Sequence, residues 1–88
     1  MALTRNNRRV IHLHDTTDHH GDVIEVKHKP QDAGLPIACI GDMVFCPRCL
    51  GTYPIIEGDP EFTIDGDPVA LEGHKTACGA KLISKIVG

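Results

Sequence analysis

The chain has 88 residues, a formal net charge of −3 and only three aromatic side chains, Phe45, Tyr53 and Phe62. A single domain of this length buries about 60–65% of its unfolded surface, so its core needs a staple, either disulfides or a metal. The negative charge counts against nucleic acid, which is bound through Lys and Arg on phosphates, and no apolar run approaches the roughly 20 residues of a membrane helix.

Residues 1–9 read as an N-terminal arm whose Arg5, Arg8 and Arg9 form a solvated basic end. No apolar signal sequence follows Met1, which points to synthesis in a reducing cytoplasm, where thiols serve as metal ligands more often than as disulfides. From Gly21 onward, Gly and Pro interrupt the chain too often for long helices. The segments between them are short and β-branched, and are predicted as strands: 10–13, 23–26, 55–57, 62–64, 69–71 and 81–87. The last of these could instead be a short helix, with Ile83, Ile86 and Val87 at helical spacing; its β-branched content favours strand. Asp65-Gly66 predicts a type I′ hairpin turn, and Pro68 confines its strand to an edge or to a start after the proline. Gly58-Asp59-Pro60 marks a turn, and residues 27–36 read as a longer loop.

An internal repeat dominates the sequence. Pro36-Ile37-Ala38-Cys39-Ile40-Gly41-Asp42-Met43-Val44-Phe45-Cys46 returns 32 residues later as Pro68-Val69-Ala70-Leu71-Glu72-Gly73-His74-Lys75-Thr76-Ala77-Cys78. A weaker third copy runs from Leu13 to His19, with Asp15 matching Asp42 and His19 matching Cys46 and Cys78. Three copies ending in metal-capable side chains predict three similar hairpins around a pseudo-threefold axis, aiming those side chains at one centre.

A tetrahedral zinc takes four N or S ligands. Four of the five residues His19, Cys46, Cys49, His74 and Cys78 are expected to supply them. The preferred set is His19, Cys46, His74 and Cys78, with Cys49 competing with His74. Cys39, among Ile37, Ala38 and Ile40, reads as a small buried hydrophobe. His12 alternates with Ile11 and Leu13 and is predicted to face solvent; His14, His20 and His28 read as surface or supporting residues. Cys46-x-x-Cys49 as a redox pair would need a βαβ context that is absent. A closed four-ligand site leaves no position for a reactive water, so the metal is expected to be structural and the protein not an enzyme. Asp15, Asp18, Asp42 and Asp65 fall at turns, where carboxylates satisfy backbone N–H groups.

The repeated Pro-x-Ala-x-x-Gly, Gly41-Asp42-Met43-Val44-Phe45-Cys46-Pro47, Ile56-Glu57-Gly58-Asp59-Pro60, Asp65-Gly66-Asp67-Pro68-Val69-Ala70 and Cys78-Gly79-Ala80-Lys81-Leu82-Ile83 together resemble PAAR-repeat proteins, over residues 10–87. The likeness is to small stand-alone members without a toxin domain. It implies an all-β fold, a short cone of β-hairpins with zinc near the apex, and a division into an arm (1–9) and a PAAR-like domain (10–88). It further implies a structural tip that caps the trimeric valine-glycine-repeat spike of a bacterial type VI secretion system, one copy per trimer. Such a tip sharpens the spike for membrane puncture and can recruit effectors. Assembly in the bacterial cytoplasm, then secretion or injection into a target cell, is implied with it; stable membrane insertion and nucleic-acid binding are not. On the family's pattern His19, Cys46 and Cys78 fall on ligand positions, Cys49 stands where a His often follows Cys-Pro, and His74 takes a slot often filled by Asp. The closing Arg of the name motif is missing from both copies, at Cys39 and Leu71.

Two other readings compete. One is a zinc knuckle or ribbon for nucleic acid or protein, liganded by Cys46, Cys49, His74 and Cys78 with His19 free; the charge and the scarcity of aromatics weigh against it. The other is a small metal-dependent hydrolase, which would need an exchangeable water on the metal and a free acid or base.

Overall fold

The computed structural model describes residues 3–5 and 7–85, and among them there is no helix. Every hydrogen-bonded strand pair is antiparallel. The architecture is a threefold repetition of one unit: a basal hairpin, a crossing segment and an apical hairpin.

The crossing segments hold the centre. Ile11 N donates to Ala70 O (2.9 Å), Ala70 N to Ala38 O (3.0 Å) and Ala38 N to Ile11 O (2.8 Å), a closed ring of three hydrogen bonds about one axis. A second ring runs from Glu72 N to Arg9 O, Leu13 N to Pro36 O and Ile40 N to Pro68 O. The weak N-terminal copy, the first in chain order, therefore begins at Arg9 rather than Leu13; Arg9-Val10-Ile11 stands where the other copies have Pro36-Ile37-Ala38 and Pro68-Val69-Ala70. Alternate side chains leave opposite faces of a strand, and here both faces are covered. Val10, Ile37, Cys39, Val69 and Leu71 form one cluster, while Ile11, Ala38 and Ala70 pack with Val23, Ile55, Leu82 and Val44 in another.

Burial on both faces corrects the placement of His12. It has no exposed surface, because alternation sorts core from solvent only when one face is wet. Its polar atoms are met instead by carboxylates: Nε2 lies 2.7 Å from Asp32 Oδ2 and Nδ1 3.3 Å from Asp15 Oδ2.

Each crossing segment turns into its apical hairpin the same way. His14, Gly41 and Gly73 all have positive φ (73°, 93° and 87°), a conformation that suits glycine and strains a histidine. One residue later an acceptor caps the turn: Asp15 takes a hydrogen bond from His12 N (2.7 Å), Asp42 from Cys39 N (2.8 Å) and His74 Nδ1 from Leu71 N (2.9 Å).

The apical hairpins are β3 (Thr16–Thr17) with β4 (Asp22–Glu25), β7 (Met43–Cys46) with β8 (Gly51–Pro54), and residues 75–81 continuing into β11 (Leu82–Ile83). They join as β11-β3-β4-β7-β8. Ile56 N to Lys75 O and Ala77 N to Pro54 O then carry the circle from β8 round to the third hairpin. The C-terminal segment is strand at 82–83; residues 86–88 lie outside the described residues.

The basal hairpins are β1 (Thr4–Arg5) with β2 (Arg8–Arg9), β5 (Gln31–Asp32) with β6 (Leu35–Pro36), and β9 (Asp59–Ile64) with β10 (Asp67–Val69). The predicted loop at 27–36 thus contains a hairpin, turned by Ala33 and Gly34 with φ of 54° and 83°. An alanine in the left-handed region carries no type I′ signal, which is why the sequence hid it. Asp65 and Gly66 (50° and 87°) make the turn that the sequence announced, and Pro68 lies in a two-stranded sheet and so at an edge. The first basal hairpin, β1 with β2, lies within the N-terminal arm.

Candidate metal centre

The three apical tips place His19, Cys46 and Cys78 at equivalent positions, four residues beyond the capping residues Asp15, Asp42 and His74. In two tips the chain reverses at once through a left-handed residue: His20 (φ 62°) and Gly79 (φ 88°), whose N–H groups bond Thr17 O and Thr76 O. The middle tip has Pro47 at that position, and proline cannot take a positive φ. Its hairpin runs on until Leu50 (φ 54°), and the extra length returns Cys49 to the axis.

As a result the ligand atoms of His19, Cys46, Cys49 and Cys78 all lie within 4.8 Å of one another. His19 Nδ1 is 3.5 Å from Cys46 Sγ. Around a tetrahedral zinc, donors stand roughly 3.5–3.8 Å apart, so the spacing and the donor types both fit a metal ion. His74 is not in this group, since its ring nitrogen serves as the turn cap at Leu71. The sequence held a clue to this in the repeat frame, where His74 aligns with two capping aspartates, and another in Pro47.

Supporting contacts fix the donors. Asp18 Oδ1 accepts from Lys81 N (2.9 Å) and stands 3.9 Å from His19 Nε2, the ring nitrogen that points away from Cys46. At 3.9 Å the carboxylate is beyond hydrogen-bond reach of the ring; its bond to Lys81 N ties the His19 tip to the third apical hairpin. Thr17 Oγ1 accepts from His19 N and Gly21 N (3.2 and 3.0 Å). Gly21 has no room for a side chain, since a Cβ there would collide with Phe45 O; this closeness seats the His19 tip against the strand bearing Cys46.

Three thiols in one place compete for charge. Burial opposes ionisation of Cys78, but Thr76 Oγ1 (3.2 Å from its Sγ), the Ala80 N–H and the neighbouring thiols outweigh it, and its thiol is lowered. Cys49 is pushed up to about 11, first by its hydrogen bond with Cys46, then by desolvation and by Cys78. A divalent cation held here would offset the cost of ionising Cys78 and Cys49 side by side. Cys39 is buried away from the cluster among aliphatic side chains, and burial raises its thiol to about 12, so it is inert.

The other histidines have separate tasks. His28 faces Asp67 (Nε2, 2.8 Å) and Asp65 (Nδ1, 3.5 Å) and pins the third basal hairpin. The expected carboxylate caps are present at Asp15, Asp18 and Asp42, each accepting backbone N–H groups.

No curated protein matches this chain. The PAAR motif matches residues 13–84, a span that takes in all three apical hairpins, the four clustered donors and two of the three basal hairpins. With an all-β pseudo-threefold fold and a His/Cys cluster at its apex, the chain belongs to the PAAR-motif family.

Proposed function

We infer that this protein is a structural tip that caps the trimeric valine-glycine-repeat spike of a type VI secretion system, the setting with which the PAAR motif is associated. The observation that carries the reading is the ring Ile11–Ala70–Ala38 and the hairpins repeated around it. A single chain with threefold internal symmetry can end a threefold-symmetric rod without mismatch, one copy per trimer.

The apical ion is zinc on this reading, because mixed imidazole and thiolate donors favour it. When bound it supplies cross-linking and no reaction. His19 comes from the first repeat, Cys46 and Cys49 from the second and Cys78 from the third, so the four side chains clamp residues far apart in sequence. Metal-binding energy then counts directly as folding energy. Four protein donors saturate a tetrahedral ion, so the role is mechanical and not enzymatic. Assembly in the cytoplasm, delivery into a target cell and effector carriage belong to the same proposal. The knuckle reading is disfavoured by His19, which it leaves free and which here faces Cys46 at 3.5 Å.

The test is stoichiometry. Mixed with a purified valine-glycine-repeat trimer, the protein should bind at one copy per trimer; three copies, or no complex, overturns the reading. Metal analysis of the purified protein should give one zinc per chain.

A further inference from the structure

We propose that Cys49 is a site of peroxide oxidation, and that its disulfide with Cys46 opens the apical cluster and releases the metal. The proposal rests on the metal-centre reading and adds how that centre is undone.

The four clustered donors differ in exposure. Cys46 is buried, His19 and Cys78 are half-buried, and Cys49 is exposed between Arg48 and Leu50, which are exposed too. The cause is local. Pro47 carries the middle hairpin on to Leu50, 86% of whose surface is exposed, while Cys46 stays paired with Gly51 in the strand ladder. Cys49 therefore offers small solutes the most accessible sulfur of the cluster. Its backbone is held in place, since Tyr53 Oη donates to Cys49 O (3.3 Å). Its Sγ lies within 4.8 Å of the sulfurs of both Cys46 and Cys78.

All three are free cysteines. A bound ion holds its cysteines as thiolates, the form that attacks a peroxide. The Cys49 thiolate attacks one oxygen of hydrogen peroxide, the O–O bond breaks, hydroxide leaves, and Cys49 becomes a sulfenic acid. The Cys46 thiolate then attacks the Cys49 sulfur, forming the S–S bond and expelling a second hydroxide. The two sulfurs lose two electrons, the peroxide gains them, and two protons from solvent turn both hydroxides into water.

Cys46 is the partner because it shares a hairpin with Cys49, so the bridge closes by side-chain rotation within one loop. Cys78 belongs to another hairpin, and its Sγ is engaged by Thr76 Oγ1 at 3.2 Å. A Cys-x-x-Cys pair that catalyses thiol exchange needs a βαβ setting; a bridge closed by peroxide needs only adjacent sulfurs, one of them accessible. Once it forms, His19 and Cys78 are two donors where a tetrahedral ion takes four. The bridge also lies inside one repeat, so it replaces none of the ties to His19 and Cys78. Oxidation should therefore loosen the apex rather than lock it. Cys39, buried in a separate cluster, takes no part.

The experiment treats the zinc-loaded full chain with hydrogen peroxide. Released zinc is read with a chromophoric chelator, the product by intact mass and by peptide mapping after alkylation of the remaining thiols. The full complement of zinc should be released, the mass should fall by two hydrogens, and mapping should find Cys46 bridged to Cys49 with Cys39 and Cys78 alkylated. The melting temperature should fall to that of the chelator-treated protein, and a dithiol reductant with added zinc should restore it. Cys49→His keeps a donor and removes the thiol, so peroxide should release its zinc at least about 10-fold more slowly; Cys39→Ala should behave as the parent. Zinc retained under peroxide, a Cys49–Cys78 bridge, oxidation without a bridge, or release from Cys49→His as fast as from the parent overturns the proposal and leaves the metal centre standing. If Cys49→His does not load zinc, the bridge mapped in the unsubstituted protein decides. Failure of the unsubstituted protein to bind zinc overturns the metal-centre reading and this proposal with it.

Discussion

At the apical end the hairpins share one closed circle of strands and converge on three thiols and an imidazole. At the basal end each hairpin is a separate two-stranded sheet, and charged side chains tie the hairpins together. Arg5 reaches Asp59 (2.9 Å) and Glu61 (3.5 Å), Leu3 N and His12 share Asp32 Oδ2 at 2.7 Å each, and His28 holds Asp67 at 2.8 Å. A two-stranded sheet is barely stable alone, so each end needs a cross-link. The apex has a four-donor cluster that fits a metal ion and the base has ion pairs; on the spike-tip reading the first is sensitive to chelators and the second to pH and salt.

The largest effect should come from breaking the apex. Chelating the metal, or making His19→Ala or Cys46→Ser, should cost about 3–5 kcal/mol, a fall in Tm of roughly 15–30 °C for a chain of this size; differential scanning calorimetry with and without chelator reads it directly. Cys49→Ser should lower zinc affinity at least about 10-fold in a competition titration with a chromophoric chelator. His74→Asp restores the cap used by the other two repeats, so it should keep full zinc stoichiometry. Loss of zinc from His74→Asp with retention in Cys49→Ser would reverse the ligand assignment.

Next in size is His12 at the base. Burial lowers its pKa, but hydrogen bonds to Asp15 and Asp32 and their charges outweigh this, and the imidazolium is favoured above the ordinary 6.5. A raised folded-state pKa contributes stability in full below pH 6.5, and that contribution is lost as pH climbs through the raised value. For Asp32, burial raises the pKa, but the Leu3 N–H and His12 overcome it and hold the carboxyl below 3.8. Its contribution is present above 3.8 and is lost as pH falls through the depressed value. His74 runs opposite to His12: burial and then Arg8 depress it, so its neutral cap weakens in acid. In the His74→Asp background, urea midpoints should therefore decline from about pH 6 to pH 8. His12→Leu, which copies Leu71 of the equivalent position, should cost about 2–4 kcal/mol at pH 6 and less at pH 8. A flat profile in this background would remove His12 as the basal clamp.

Smaller effects follow at the surface. Arg5→Ala should cost at most about 1 kcal/mol and lose its effect in high salt, because the Arg5–Asp59 pair is partly exposed. His14→Gly should be neutral or stabilise by up to about 1 kcal/mol, since it places glycine where the other repeats already have it at positive φ. Destabilisation by His14→Gly would mean that the histidine side chain contributes beyond its backbone.

The repeat was legible because equivalent positions must satisfy the same backbone geometry. That constraint exposed the hairpins, the pseudo-threefold axis and three apical donors, His19, Cys46 and Cys78. It did not reveal the two short basal hairpins at 4–9 and 31–36, whose turns lack a glycine-first or Asp-Gly signature. Nor did it expose the first copy's start at Arg9, since Val10-Ile11 resembles Ile37-Ala38 only in hydrophobicity.

By itself the sequence determined that this chain is a small, strand-rich, threefold repeat converging on metal-capable side chains, because periodic Gly, Asp and Cys positions encode turns and ligands locally. Only the tertiary structure brought Cys49, and not His74, up to the other three apical donors. Both stand a few residues from a certain donor; the choice falls to how Pro47 lengthens one hairpin and how Leu71 N engages a ring nitrogen. The same holds for His12, whose two carboxylates come from elsewhere in the fold: a buried charge is tolerable only where distant residues meet it, and spacing along a chain does not record that meeting.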